Sequence, residues 1–599
     1  MKFFGHTFHI PVLGVGYSVD APAKVAKYGI SSVISIVDDI LLEQLRKHYY
    51  QKMNKSYEPI SPKEEDSRAK RVTSYLNLMN EIVKEQFEKV RESAFEKGSE
   101  ITKYFEMLPD ISHLKQKYQE MLASKEEAIK TKMQKYLREN IHHGSIDVNI
   151  MTKLDKSNYA TDGTQLSSEF NDAHAALRGF AMSELESSII FSAGMNPKLY
   201  SYLESFKDFQ PRKDGSFKKK IVVKVSDFRS ALIQGKFLAK KGLWVSEYRI
   251  ESGLNCGGHA FATDGLLLGP ILEEFKKRKQ ELIDSVKELI MPALNKKEIL
   301  VDESKLNVDV TVQGGVGLST EHEFLLRNYG VKSVGWGSPF LLVPEVMNVD
   351  EKTLSQLSEA KEEDFFLSNS SPLGVPFNNL RNSGKDVERI ERMENGKPGS
   401  PCPKKFLEFN KDFTDRPICT ASVAYFKKLD TIKDKQELAD KYNADLKNAN
   451  DKNCLCEGLS ASTLIAKGIT DAKQSLAVAI CPGPNLAYYS KIASLKEMVD
   501  HIYGRINLIT HPNRPNMFVK ELSLYIDYLH KKIDERVDFV NAQKEEFFTT
   551  FRANLIDGIN YYKNLIPDIA EETEKIREKI QQDLEALEAK LMSYALAGV

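Results

Sequence analysis

The 599-residue chain has no apolar run approaching the length needed to span a bilayer, and its start, Met1-Lys2-Phe3-Phe4-Gly5-His6, lacks the long apolar core of a signal peptide. A cytoplasmic location without a membrane partner is therefore expected. The chain also lacks any excess of positive charge. Its 84 Lys+Arg stand against 85 Asp+Glu, leaving no broad field to neutralise a phosphate backbone, so a nucleic-acid partner is not expected. Cysteine is scarce: six thiols are too few for a disulfide framework and read as buried groups, metal ligands or reactive groups. No internal repeat is found.

What is present is enough apolar material, 41% of residues, to bury a large core, as two or three domains or as one decorated barrel. Short apolar, β-branched segments separated by helical stretches recur at 9–15, 30–37, 146–151, 188–193, 220–225, 243–250, 308–313 and 331–336. Eight such units predict an α/β fold, a closed (β/α)8 TIM barrel with function on the loops at the C-terminal ends of the strands. The barrel is expected over 1–40 and 144–345. The segment 41–143, dense in Lys and Glu with Tyr75, Leu78, Met79, Ile82, Val83 and Phe87 at helical spacing, predicts an insertion of two or three long amphipathic helices. Segment 346–510 reads as a less regular extension, with loop signals at Asn369-Ser370-Ser371-Pro372 and in the glycine- and proline-rich stretch from Asn395. Segment 511–599 reads as helical up to Ala597, either as a solvated hairpin or as a surface for a second copy or a partner protein.

Three motifs carry most of the chemistry. Gln313-Gly314-Gly315-Val316-Gly317 follows the seventh strand and precedes a helical stretch, 320–328, whose N-terminal amides would suit an anion. Val334-Gly335-Trp336-Gly337-Ser338 repeats the arrangement one strand later, and the loops after strands seven and eight are common phosphate sites in barrels. A phosphate-bearing ligand is expected there. Asn255-Cys256-Gly257-Gly258-His259 ends the sixth strand and puts an imidazole on bare backbone, suited to move a proton near neutral pH. His142, His143 and His322 have no such setting and read as surface residues.

Taken in order, Ile10-Pro11-Val12-Leu13-Gly14-Val15-Gly16, Val148-Asn149, Phe191-Ser192-Ala193-Gly194-Met195-Asn196-Pro197, Cys256-Gly257-Gly258-His259 and the two glycine motifs resemble the successive signatures of nitronate monooxygenase-like flavoproteins. That group includes bacterial flavin-dependent enoyl reductases and the enoyl-reductase component of polyunsaturated fatty acid synthases. The resemblance spans about 8–345 without the helical insertion. It implies an FMN-binding barrel with His259 as the base beside the flavin and with Gly314, Gly315, Gly335, Gly337 and Ser338 around the FMN phosphate. Gly14, Gly16, Asn149, Lys224, Gly258, Gln313, Gly317 and Trp336 are the further cofactor-binding residues it implies. Asn255 and Cys256 stand where nitronate monooxygenases usually carry an acidic residue and alanine, which points to a long relative with a different substrate.

Lys153 and Lys224 follow the third and fifth strands and are candidates to place a cation near the flavin N1/C2 oxygen. Five cysteines, Cys402, Cys419, Cys454, Cys456 and Cys481, fall in the extension. Cys-Pro pairs on turns are frequent at iron–sulfur ligands, yet the spacing matches no standard ferredoxin or zinc pattern. Buried thiols, an iron–sulfur cluster and structural zinc all stay open. The functional expectation is an FMN-dependent oxidoreductase acting on a small or acyl-type organic substrate. Its alternatives are an NAD(P)H-dependent enoyl-thioester reductase and a non-catalytic scaffold.

Overall fold

The computed structural model describes residues 5–160, 162–192, 194–469, 474–535, 542–569 and 571–593. Met1 to Phe4, Ala193 at the end of the fourth expected strand, and Ala597 lie outside them.

Eight parallel strands form the centre: β1 (Phe8–His9), β2 (Ser32–Ser35), β3 (Ile146–Met151), β4 (Ser187–Ser192), β5 (Lys219–Val225), β6 (Val245–Glu251), β7 (Asp309–Gln313) and β8 (Ser333–Gly335). Their order, β1-β8-β7-β6-β5-β4-β3-β2, runs round a barrel, and a parallel bridge between Ile10 and Ser32 joins its two ends. Each expected strand is found. The first is shorter than its apolar run, because Pro11 has no amide to donate and Gly14 turns the chain at φ +52°.

Alternation along the strands divides the barrel into an outer apolar face and an inner, partly polar one. Val33, Ile190 and Val222 pack together inside it. At about the same depth Arg249 pairs with Glu247 at 2.8 Å, and Thr311 donates to the same carboxylate at 2.5 Å. One residue pair nearer the C-terminal rim come Ser35, Asn149, Ser192, Lys224, Glu251 and Gln313, all on the wall of a cavity.

Segment 41–143 forms five helices rather than two or three: Asp39–Lys52, Ser67–Glu92, Glu100–Met107, His113–Ala123 and Glu127–Asn140. Caps cut the amphipathic pattern. The Asp38 side chain accepts from the Leu41 amide at 3.0 Å, and Ser99 starts a new helix. The long helix Ser67–Glu92 buries Tyr75, Leu78, Met79, Ile82, Val83 and Phe87. It crosses Asp172–Met182 so closely that a Cβ on Gly179 would lie 2.6 Å from that of Val72. Segment 346–510 is more regular than its sequence suggests. It holds the hairpin β9 (Phe365–Ser368) and β10 (Phe377–Leu380), followed by helices including Gly384–Glu394 and Leu455–Ala466. The last helices, Met517–Asp534, Ala542–Leu565 and Glu574–Ser593, turn Tyr525, Phe551, Leu555 and Ile559 inward, and Phe518 stacks on Tyr562 at 4.9 Å. Among the described residues no helix is long and apolar enough to cross a membrane.

Candidate active site

The cavity at the C-terminal rim has a volume of about 200 Å³. Gly14, Asn149, Lys224, Gly258, His259, Gln313, Gly314, Gly315, Gly335, Gly337 and Ser338 all reach its wall, so most of the residues singled out in the sequence converge.

Two amides on the floor have orientations forced by their neighbours. Gln313 Nε2 donates to Glu251 Oε1 at 2.7 Å. A carboxylate there only accepts, so Gln313 must turn its oxygen the other way, and that oxygen is buried without a partner. Asn149 Nδ2 donates to Ser192 Oγ at 3.2 Å, and Ser192 spends its own proton on the Ile150 carbonyl at 3.1 Å. Asn149 Oδ1 is therefore the free end, also buried without a partner. Burying such acceptors costs free energy until a donor meets them. Lys224 Nζ lies 2.6 Å from Glu251 Oε2, so its charge is already matched. Glu251 escaped the sequence reading. Its signal was the alternation Glu247, Arg249, Glu251, three charges at period two on a strand of a barrel.

The glycines after β7 are required by packing. Gly314 and Gly315 have φ of +120° and +79°, and an added Cβ would lie 2.6 Å from Cys256 Sγ and 2.1 Å from Asn255 Nδ2, respectively. The Gly315 carbonyl accepts from Arg514 and the Val316 carbonyl from Asn485. Among the described residues no backbone carbonyl takes the amides of Gly314, Gly315 or Gly337. Ser338 Oγ accepts from the Gly483 amide at 2.7 Å and keeps its own proton to donate.

Three expected cofactor residues stand off this wall. Gly317 and Leu318 give their amides to Glu321 Oε2, at 2.8 and 3.2 Å, so the N-terminus of the helix Ser319–Tyr329 is occupied by the protein's own carboxylate instead of being open to an anion. Trp336 is fully buried and donates from Nε1 to His322 Nδ1 at 3.1 Å. Gly16 donates to the Leu459 carbonyl and is a packing glycine against the helix Leu455–Ala466. His322 is likewise no surface residue, being held between Thr7 and Trp336, whereas His142 and His143 are exposed.

His259 follows Gly258, whose φ is +81°, and faces the cavity. Its Nε2 lies 2.7 Å from Ser371 Oγ, and the Phe377 ring stands edge-on at 5.0 Å. Both partners come from the extension. Burial, aided by the nearby charge of Lys153, lowers the imidazole pKa to about 4. Lys153 itself is exposed outside the wall, 4.6 Å above the Phe261 ring. The extension closes the cavity from above with Phe377, Phe406, Leu407, Leu455 and Leu459.

The cysteines divide. The Cys402 thiol lies near those of Cys419 and Cys454, and the neighbouring Cys419 together with burial raises its pKa to about 12. Cys456 lies beside them and reaches the cavity, and Cys481 stands elsewhere on its wall. All six thiols are free, and among the described residues no three His, Cys, Asp or Glu side chains are placed to hold a metal ion. Of the five cysteines expected as metal ligands, Cys402, Cys419, Cys454 and Cys456 thus lie near one another and Cys481 stands apart.

The residues present fit an FMN. Free glycine amides and the Ser338 hydroxyl suit a phosphate, and the orphaned oxygens of Asn149 and Gln313 suit ring N–H donors.

No protein-family model and no curated protein matches this chain. Among solved structures it is similar to the enoyl reductase domain of MlnA from the macrolactin biosynthesis cluster of Bacillus amyloliquefaciens, at 13% identity and a TM-score of 0.32 over 69% of this chain and 89% of that one.

Proposed function

We propose that the chain is an FMN-dependent oxidoreductase of the nitronate monooxygenase-like class, acting on an acyl-type organic substrate. The observation that carries this reading is the meeting, in one cavity, of free amides at the ends of β7 and β8 with the imidazole of His259. Bound FMN supplies hydride chemistry at its N5. Around it Gly314, Gly315, Gly337 and Ser338 hold the phosphate, and Gln313 and Asn149 accept from the ring system. The Lys224–Glu251 pair fixes the floor, so the field there is that of an ion pair and not of a lone cation. The apolar cover of Phe377, Phe406, Leu407, Leu455 and Leu459 excludes water and favours a substrate with a hydrocarbon portion. His259 meets the substrate at the edge of that space.

The test is the absorbance spectrum of protein purified with and without air, followed by addition of NAD(P)H with and without an enoyl-thioester acceptor. Flavin bands that bleach with NAD(P)H and recover with the acceptor are expected. Colourless protein that cannot be reconstituted with FMN would leave an interaction scaffold as the better account. A broad brown absorbance beyond the flavin bands would report an iron–sulfur cluster on the cysteines of the extension.

A further inference from the structure

Ser371 lies in the turn between β9 and β10, 112 residues from His259, and is fully buried. Its Oγ accepts from the Leu373 amide at 3.2 Å and sits 2.7 Å from His259 Nε2. A serine hydroxyl has one proton to give. Among the described residues the one acceptor within reach of that proton is His259 Nε2. The alternative, Nε2–H donating to Ser371, would leave a buried hydroxyl proton without an acceptor, which costs about 1–3 kcal/mol. Nε2 is therefore the bare nitrogen, and the neutral ring carries its proton on Nδ1. Nδ1 makes no hydrogen bond within the described chain and is not sealed from the cavity.

We propose that Ser371 is a positioning residue that locks His259 in the Nδ1–H tautomer, so that the imidazole meets the substrate as a hydrogen-bond donor and not as a base. A base needs an open lone pair, and Ser371 occupies the one that this tautomer has. A neutral N–H suits an acyl carbonyl oxygen that gains negative charge as the reaction proceeds. The proposal rests on the reading of His259 as the group that faces the substrate. It also assigns a task to the extension, which supplies Ser371 and to which the flavin-barrel resemblance does not extend.

The experiment is a long-range ¹H–¹⁵N correlation spectrum of the full chain labelled in histidine, with His259→Gln identifying the signal. The tautomer is read with or without flavin, so it is separate from the colour test above. Wild-type protein should show a protonated Nδ1 and a bare Nε2 from pH 6 to 8. Ser371→Ala should move the signal toward the Nε2–H form, and Ser371→Thr should restore the wild-type pattern. An Nε2–H tautomer in the wild type overturns the proposal whatever the variants do, and so does an unchanged tautomer in folded Ser371→Ala.

Discussion

Arg514 meets Glu321 at 2.7 Å with 3% and 2% of their side chains exposed, and the same guanidinium donates to the Gly315 carbonyl at 2.9 Å. One buried pair thus ties the C-terminal region to the loop after β7 and to the start of the helix that follows. Arg514→Met should leave the Glu321 carboxylate uncompensated and cost about 3–5 kcal/mol. Urea midpoints measure this, and Arg514→Met with Glu321→Gln should lose less than Arg514→Met alone. A double variant that loses the sum of both single effects would show that the two side chains do not act as a pair.

The glycines of the two rim loops should separate by experiment. Gly315→Ala forces a left-handed residue and a Cβ against Asn255, which cannot retreat because its Nδ2 is bonded to the Met517 carbonyl. A loss of about 1–3 kcal/mol is expected. At Gly337 the added Cβ meets Leu13 and Pro11 at 3.3 Å, an approach that small shifts relieve. Gly337→Ala should therefore fold like the wild type while retaining less flavin. Equal stability of the two variants would contradict this geometry.

His259→Ala should keep the flavin spectrum and lower kcat/KM by about 10²–10³-fold, the cost of losing one donor to developing negative charge. Because burial holds the imidazole pKa near 4, the ring is neutral throughout the physiological range. The wild-type pH–rate profile should show no histidine break near pH 6.5. A break at 6.5 that disappears in His259→Ala would show the ring to be solvated.

Glu521, in the helix Met517–Asp534, accepts from Ser252, the Leu268 amide and Tyr562, yet burial dominates and raises its pKa to about 7. The folded protein therefore holds this proton above the unfolded value near 4.5. The stability it contributes is full below pH 4.5 and is lost as pH rises through 7. Burial moves His6 and His322 in the other direction, to about 4 and 3, so their contribution is lost as pH falls below 6.5. Glu521→Gln should gain stability relative to the wild type between pH 5 and 8, read from urea midpoints at both. A difference that does not change with pH would place the Glu521 ionisation outside this window.

The barrel was legible because its evidence is local: a β-branched run such as Ile146–Met151, a helical spacer, and glycine where β7 ends. The floor was half legible, since Asn149 and Gln313 were named but Glu251, which orients Gln313 and neutralises Lys224, was not. Gly317 and Trp336 stand in the motifs that form the cavity wall but do not reach it. Glu321, four residues on, takes the Gly317 amide, and His322 holds the Trp336 indole away from the cavity.

By itself the sequence determined the eight strands, their order and the rim on which the glycines and His259 would meet, because side-chain period and glycine freedom act within a few residues. Tertiary structure alone decided what closes that rim. Ser371 reaches His259 from 112 positions away, Arg514 reaches Gly315 from 199, and the Cys402 thiol comes to lie near those of Cys419 and Cys454. Such contacts depend on how the extension packs onto the barrel, and packing is set by the summed shape and burial of many side chains, which no local period records.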